Sequence, residues 1–298
     1  MPRKDSLDTF GVASLVGFSL LLGINQVVIA VVNEGLQPVF AAAIRSVGAT
    51  LCIGFWMTAR GTLAWPAPGT VPSGLLMGAI FSAEFVFLFN ALDLTSVSRT
   101  SVIFYAMPVW AALGAHFLLP GESMTRVKAL GLALAFAGTA WAILDRPETD
   151  GRASLVGDLC ALAAGMCWAG IALAARATAM KEVAPDMQLL WQVAVSAPIL
   201  LILALSFGPL IRDLAPIHLW GMAFQIVVVV SAGFMFWLWL LTIYPAASVA
   251  SFAFLGPIFG VLLGALVLGE DVGPTILGPL ALVAGGLWLI NRPGAPSA

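Results

Sequence analysis

One pattern occurs twice in this chain, as IFYAMPVWAALGAHFLLPGESMTRVKALGLALAFAGTAWAI (103–143) and as FAFLGPIFGVLLGALVLGEDVGPTILGPLALVAGGLWLI (252–290). Each copy places a proline early in an apolar run, ends that run in Gly-Glu, and continues with two glycines and a tryptophan. The matched residues are Pro108 and Pro257, Gly121-Glu122 and Gly269-Glu270, Gly131 and Gly278, Gly138 and Gly285, Trp141 and Trp288, and Ile143 and Ile290. Any single pair is weak evidence, because Gly and Pro are common in membrane helices. The ordered set, whose last four pairs keep one constant spacing, indicates an internal repeat of two halves.

Further apolar runs precede each copy of the repeated pattern and belong to the same two halves. A membrane-spanning helix needs about 20 consecutive apolar residues. Runs of this kind, broken by Pro, Gly and charged residues, predict ten spanning helices. They cover residues 10–32, 38–58, 72–92, 98–119, 126–144, 156–178, 186–206, 217–241, 247–268 and 274–290. The connections are short, so no separate soluble domain is expected.

The composition supports a membrane protein. Charged residues make up 9% of the chain and hydrophobic residues 61%, with a mean hydropathy of +1.03. A soluble domain carries about a quarter charged residues, whereas a bilayer accepts this much apolar surface. The net charge of −2 provides no basic surface for nucleic acid. The three cysteines lie in apolar runs without a CxxC pair, so neither disulfides nor a metal site is expected.

The number of helices in each half sets their relative orientation. Each half contains five helices, and an odd number means that the second half enters the membrane from the opposite side. The sequence therefore predicts an all-α integral membrane protein with ten transmembrane helices, arranged as two inverted five-helix repeats around a central cavity. We assign residues 1–298 to a single membrane domain, with a first repeat at 10–145 and a second at 153–292. Such repeats place a substrate site near the midplane and support alternating access.

The N-terminal region and the basic residues predict the orientation. The first apolar run is longer than the apolar core of a signal peptide and is followed by more membrane segments, so we interpret it as a retained helix. With the N-terminus in the cytoplasm, about eight basic residues face inward and about three face outward. Both termini are therefore predicted to be cytoplasmic.

The repeated residues resemble those of a known family. The first copy reads Ala91-Leu92, Ser101-Val102, Pro108, Gly121-Glu122, Gly131 and Gly138, and the second reads Leu240-Leu241, Pro257, Gly269-Glu270, Gly278 and Gly285. This pattern is similar to the repeat of the EamA family in the drug/metabolite transporter superfamily, over about residues 10 to 292. The resemblance implies ten helices, a central cavity and export of amino acids, other small metabolites or toxic organic compounds across the bacterial inner membrane.

Three polar residues are predicted to lie at one depth in the membrane. At 1.5 Å per residue, Asn25, Arg45 and Glu84 all lie roughly 10 to 12 Å below the outer surface. Ionisable groups are costly inside a bilayer and often mark a transport pathway. One interpretation is that Arg45 and Glu84 interact, with Asn25 nearby, around an outward-opening cavity that binds a zwitterion. The alternative is an ion pair that only fixes helix packing. Glu84 is also the candidate for proton coupling.

Other candidate residues lie on helices 4 and 9 and near the membrane centre. Proline lacks an N–H group, so Pro108 and Pro257 leave the carbonyl groups of Phe104 and Ala253 without helical partners. These prolines predict either cavity-lining gates or static kinks. Polar and aromatic side chains could line the cavity or simply pack between helices. They are Asn90, Ser101, Tyr105, Trp168, Trp237 and Ser251.

These features favour a secondary transporter that exports amino acids, including aromatic ones, and related small metabolites. The alternative is export of organic cations or drugs, or of other metabolites of the same superfamily, and Glu84 and the tryptophans would suit a cation. An intramembrane enzyme or a channel is disfavoured, because no HExxH motif and no TVGYG-like filter occur. No P-loop is present, and no cofactor or metal is predicted. The expected partners are the small-molecule substrate and membrane lipid, with the protein a monomer or weak dimer.

Overall fold

The computed structural model describes residues 4, 7–119, 124–145, 154–245 and 249–291. Eight of its helices are long and apolar enough to cross a membrane, and two shorter apolar helices follow them, which confirms the predicted ten-helix fold. The helices are α1 Thr9–Gly35, α2 Pro38–Arg60, α3 Val71–Leu94, α4 Val97–Leu118, α5 Arg126–Leu144, α6 Leu155–Ala177, α7 Pro185–Ala204, α8 Pro216–Ile243, α9 Phe252–Leu268 and α10 Pro274–Ile290. The predicted Gly121-Glu122 turn and much of the polar segment between the halves lie outside the described residues.

The main helix contacts recur when both helices are replaced by their counterparts in the other half of the chain. Helix α1 packs against α9, and its counterpart α6 packs against α4. Likewise α3 packs against α6, and α8 packs against α1. The pairs α2 with α7 and α5 with α10 each join a helix to its own counterpart. The connectivity places the start of α1 and the end of α10 on one side of the molecule, which we call the N-terminal face.

Repeated glycines bring α5 and α10 close together. A β-carbon on Gly131 would lie 2.7 Å from the carbonyl oxygen of Gly286, and one on Gly138 would lie 2.8 Å from that of Pro279. In return, Trp141 of α5 covers Gly278 of α10. Small residues allow this approach in membrane helix pairs, so these repeated positions act in packing.

Three helices depart from regular α-helical geometry. Tyr105 and Ala106 interrupt α4, and Pro108 lies in the first turn of its second segment, Met107–Leu118. A 3₁₀ turn at Ser251–Phe254 leads into the α-helix Leu255–Leu268, and Pro257 lies in the first turn of that α-helix. Both prolines therefore follow a break in the helix. The freed carbonyl group of Phe104 is covered by α6, because a β-carbon on Gly165 would lie 2.9 Å from its oxygen.

Helix α8 contains an irregularity that the sequence did not indicate. Its central residues, Phe224–Phe234, form a π-helix between two α-helical segments. Consistent with the wider turn, Ser231 Oγ donates a hydrogen bond to the carbonyl oxygen of Ile226, five residues earlier, at 2.7 Å. π-helical turns are rare and are frequently found at functional sites, so this segment indicates that α8 contributes to a functional site.

Candidate functional site

A small chamber lies at the centre of the helix bundle. It has a volume of about 40 Å³, and the structure brings Asn25, Arg45 and Glu84 together in its wall. The three residues come from α1, α2 and α3, and their exposed fractions are 7%, 4% and 0%. The shared depth inferred from helix length thus corresponds to a shared cavity.

The charged groups in this chamber do not form a direct ion pair with each other. Among the described residues, no ion pair joins Arg45 to Glu84, which differs from the direct interaction that the sequence predicted. Instead, the guanidinium carbon of Arg45 lies 4.0 Å from the ring centroid of Phe85 and 5.7 Å from that of Phe89. This arrangement holds the guanidinium through cation–π contacts, and its Nη1 has no hydrogen-bond partner among the described residues.

Several buried polar atoms in the chamber lack a hydrogen-bond partner among the described residues. They are Oδ1 of Asn25, Nη1 of Arg45, and both carboxyl oxygens of Glu84. Buried polar atoms in proteins are nearly always paired, and an unpaired buried charge is especially costly. The cluster therefore has the hydrogen-bonding capacity to receive a polar ligand that carries both an anionic and a cationic group.

A larger apolar cavity adjoins the chamber. Its volume is about 350 Å³, and it shares five lining residues with the chamber. The shared residues are Leu22, Tyr105, Met107, Trp168 and Phe234. Phe18 and Trp237 add a stacked aromatic pair, with ring centroids 6.0 Å apart.

The larger cavity lies towards the N-terminal face. Leu15 near the start of α1, Leu241 near the end of α8, and Val249 just before α9 all line it. The chamber is therefore continued towards the N-terminal face, whereas the sequence predicted a cavity that opens outward.

Two sets of contacts hold the opposite face together. Arg212, in the loop before α8, forms an ion pair with Asp93 at the end of α3, with nitrogen–oxygen distances of 2.6 and 3.0 Å. The same guanidinium donates a hydrogen bond to the carbonyl oxygen of Asn33 in α1 at 2.9 Å. The hydrogen bond to the Asp93 carboxylate raises the pKa of Arg212. We call these contacts the Arg212 latch.

The second set joins α9 to α4. The carboxylate of Glu270 accepts hydrogen bonds from the backbone N–H groups of Val97 and Ser98, at 2.6 and 2.8 Å. Glu270 thus caps the start of α4 from the other half of the chain. A separate cavity on this face, of about 310 Å³, shares no lining residue with the central chamber. The described residues therefore close the chamber towards the opposite face.

Comparison with known proteins assigns the family. The profile of the EamA-like transporter family matches residues 9–144 and again residues 155–292. The chain belongs to the EamA-like transporter family. Similar proteins of Bacillus subtilis strain 168 are the uncharacterized transporters YvbV, 27% identical over 196 residues, and YoaV, 24% identical over 216 residues. These matches cover 64% and 72% of the chain, and 62% and 72% of the relatives' own lengths.

A solved crystal structure resembles this EamA-like transporter along most of both chains. The TM-score is 0.66 at 21% identity, and the alignment covers 93% of this chain and 96% of the other. At that identity the likeness establishes the fold alone. Membership of this family, together with the apolar helices, makes the protein a multi-pass membrane transporter.

Some of the other residues predicted for the site of this EamA-like transporter line the cavities, and others do not. Tyr105 and Trp168 line both cavities, and Trp237 lines the larger one. Ser101 is buried and lines neither cavity, and it donates a hydrogen bond to Oε1 of Gln26, which lines the chamber. Asn90 bonds within its own helix, to the carbonyl oxygen of Val86 at 2.6 Å.

The remaining predicted site residues are those on α9 and in the broken helix α4. The side chain of Ser251 lies outside what the structure describes. Neither Pro108 nor Pro257 lines the described cavities, but each adjoins a residue that does: Met107 beside Pro108 and Gly256 beside Pro257. Their role in gating stays a prediction.

Neutralising Arg212 is expected to loosen the opposite face of the transporter. In a background with the native cysteines replaced by alanine, Leu88→Cys places a thiol in the chamber wall. We expect Arg212→Gln to increase the labelling rate of this thiol about twofold to fivefold, since a partly exposed ion pair contributes modestly. Labelling is measured with a membrane-impermeant reagent applied from the opposite face.

The matched control is Arg60→Gln, because Arg60 is exposed at the end of α2 on the N-terminal face and rests on Trp56. Equal labelling rates in the Arg212 variant, the Arg60 variant and the parent protein would show that the Arg212 latch does not keep this face closed.

Proposed function

We propose that the protein is a secondary transporter that exports amino acids, including aromatic ones, and related small metabolites. In this proposal the zwitterionic head group binds between Arg45 and Glu84, and the side chain occupies the larger cavity. The observation that carries it is the pair of opposite charges that face one buried chamber without pairing to each other. An α-carboxylate would bond to the guanidinium and an α-ammonium to the carboxylate, so that both buried charges gain a partner.

The larger cavity supports the choice of amino acids with apolar or aromatic side chains. Its volume of about 350 Å³ lies within the range of small-ligand sites. Trp168 lines both compartments; it makes an edge contact with Phe104 and a tilted contact with Phe234, at centroid distances of 6.3 and 6.1 Å. An aromatic side chain that enters this cavity would meet ring faces and edges, which favour offset or T-shaped packing.

Export of organic cations is the second candidate function. The unpaired carboxylate of Glu84 and the aromatic walls favour it, since both attract a cation. Arg45 in the same chamber opposes it, because a cation without its own anionic group would meet the guanidinium at close range. A substrate that carries both charges satisfies both residues, and we therefore place amino acids first.

We further propose that the protein lies in the bacterial inner membrane with both termini in the cytoplasm. Basic residues that fall on the N-terminal face support this orientation, since positive residues concentrate on cytoplasmic loops. The described conformation would then offer its larger cavity to cytoplasmic substrate. Opening of the Arg212 latch and of the Glu270 cap would release the substrate on the other side, as alternating access requires.

Uptake into proteoliposomes tests the proposal. The purified protein is reconstituted, and uptake of labelled amino acids is measured with and without a proton gradient, against empty vesicles. Saturable uptake above empty vesicles is the expected result, and its response to the gradient reports on proton coupling. If no amino acid is taken up while a labelled quaternary amine is, the organic-cation function replaces the proposed one.

Removing an aromatic ring from the cavity is expected to change specificity. Trp168→Ala should raise KM for tryptophan and phenylalanine about tenfold, because the substrate ring loses a buried aromatic partner. KM for alanine should change little, since a methyl group does not reach across the cavity. The control is Trp220→Ala, since Trp220 is 73% exposed on the outside of α8. An equal change for tryptophan and alanine in the Trp168 variant would contradict a role in side-chain recognition.

A further inference from the structure

Gln225 is a buried amide for which the fold provides no described partner. Its exposed fraction is 0%, and both Nε2 and Oε1 lack hydrogen-bond partners among the described residues. Leaving an amide buried and unpaired costs free energy, and such groups in native proteins usually have a functional or water-mediated explanation. Gln225 is also the second residue of the π-helical segment of α8.

Contacts between helices place Gln225 at the level of Asn25. On α8, a β-carbon at Gly221 would lie 3.3 Å from Val28 and 2.6 Å from Val32 of α1. Depth is measured from the face opposite the N-terminal face. Gln225 lies four residues deeper than Gly221 along α8. Asn25 lies three residues deeper than Val28 along the antiparallel α1. Residues three or four apart share a helix face, so Gln225 and Asn25 lie at one level of the facing helices.

A second contact relates Gln225 to Arg45. A β-carbon at Gly48 of α2 would lie 2.6 Å from Ile226, the residue next to Gln225. Arg45 is three residues before Gly48 and so lies on the same face of α2. Gln225 is thus bracketed by two helices whose neighbouring polar residues, Asn25 and Arg45, both line the chamber and both have unpaired atoms.

We propose that Gln225 is a further substrate-binding residue, which hydrogen-bonds the polar head group of the substrate beside Asn25 and Arg45. This inference rests on the proposed function. The amide group suits a zwitterion, since its N–H₂ donates to a carboxylate and its oxygen accepts from an ammonium. Gln225 is therefore a specificity residue for substrates that carry both groups.

The size of the chamber explains why Gln225 does not line it in the described conformation. At about 40 Å³ the chamber holds only a small number of water molecules, so a zwitterionic head group enters only if the wall moves outward. The π-helical segment carries Gln225 near one end and Phe234, which lines both cavities, at the other. The proposal requires that this widening reach the level of Asn25, where Gln225 lies.

The experiment compares Gln225→Leu with Gln192→Leu in the full-length protein. Gln192 is a half-buried amide on α7 that bonds to the carbonyl oxygen of Gln188 at 3.3 Å in its own helix, so it controls for loss of an amide inside the membrane. Tryptophan uptake into proteoliposomes gives KM and Vmax. Inhibition of labelled phenylalanine uptake by tryptophan and by tryptophanamide then reports on the carboxylate separately.

We expect KM for tryptophan to rise about tenfold to a hundredfold in Gln225→Leu, with Vmax largely retained, because a buried hydrogen bond to a charged group is lost. The preference for tryptophan over tryptophanamide should fall in the same variant, which a purely structural role would not produce. Gln192→Leu should match the wild type. Gln225→Asn, which keeps the amide, should restore part of the preference.

Three outcomes separate the inference from the proposed function. If the wild-type protein takes up no amino acid, the proposed function fails together with this inference. If the wild type transports and Gln225→Leu keeps its KM and its preference for tryptophan over the amide, only the role of Gln225 is overturned. If Gln225→Leu does not fold, Gln225→Glu decides: an unchanged KM and preference there overturns the role, because a carboxylate cannot donate a hydrogen bond to the substrate carboxylate.

Discussion

Replacing Glu84 by glutamine is expected to reduce amino-acid uptake at least about a hundredfold, because the substrate ammonium loses a buried carboxylate partner. The carboxyl group is fully buried, and neither oxygen has a hydrogen-bond partner among the described residues. Glutamine keeps the size and the polar character of the side chain but removes the negative charge. Only a function that depends on that charge should therefore be lost.

The effect should be large because the carboxylate of Glu84 is fully buried. In a buried site, truncating one partner of a charge pair costs about 2–5 kcal/mol, much of it from the charge that is left unpaired. In the Glu84 variant that group is the substrate ammonium, and the Arg45 guanidinium then acts on it without compensation. Both changes weaken binding of a zwitterion in the same direction.

The measurement is uptake of labelled tryptophan into proteoliposomes, with initial rates taken across a concentration series. Glu34→Gln is the matched control, since Glu34 is exposed and lines the separate cavity on the opposite face. It should keep uptake within about twofold of the wild type, as exposed substitutions usually have small effects. Unchanged KM and Vmax in the Glu84 variant would remove this residue from the transport mechanism.

Proton coupling can be read from the same variant. If Glu84 carries a proton on the return step, uptake by the wild type should respond to an imposed proton gradient. Residual uptake by Glu84→Gln should not respond, because glutamine does not titrate. A response of equal size in both proteins would assign coupling to another group or to the substrate itself.

The helix count and the repeat could be predicted from the sequence because the bilayer constrains both. Backbone groups cannot remain unpaired in lipid, so each apolar run of sufficient length becomes a helix. Gly131 and Gly138 mark the contact between α5 and α10 because only small residues permit that approach. The depth of Asn25, Arg45 and Glu84 followed from helix geometry alone, and the three residues do share one chamber.

Side-chain direction and conformational state could not be predicted in the same way. Depth along a helix does not fix where a long side chain points, and Arg45 packs on Phe85 without forming the expected ion pair with Glu84. The π-helix in α8 has no signal in an apolar run such as Phe224–Phe234. The face towards which the cavity continues depends on small free-energy differences between states, which hydropathy does not encode.

One buried ion pair has a signal in the sequence. Arg99 and Asp158 both fall inside predicted spanning helices, and charges in such helices are almost always paired. In the structure both side chains are 0% exposed and form two hydrogen bonds, at 3.1 and 2.7 Å. The pair joins the start of α4 to the start of α6, and hence the first half of the chain to the second.

Removing one charge of this pair is expected to destabilise the protein strongly. Asp158→Asn leaves the Arg99 guanidinium buried without its counter-charge, which typically costs about 3–5 kcal/mol. The remaining acceptors are backbone carbonyl oxygens at the end of α5, those of Ala142 and Asp145. These dipoles do not neutralise a full charge, so we expect the apparent Tm in detergent to fall by roughly 6–20 °C.

The loss of stability should arise because the Arg99 guanidinium is left unpaired, and not because the Asp158 side chain is changed. The double replacement Arg99→Met with Asp158→Leu removes both charges and should lose much less stability than Asp158→Asn, since apolar pairs often substitute for buried ion pairs. Asp213→Asn makes the same chemical change at an exposed position and should leave Tm unchanged. Tm is measured as the temperature at which half of the protein still elutes as a monodisperse peak after heating. If Asp158→Asn matches the wild type, or the double variant is the less stable of the two, the pair does not stabilise the junction between the two halves by charge neutralisation.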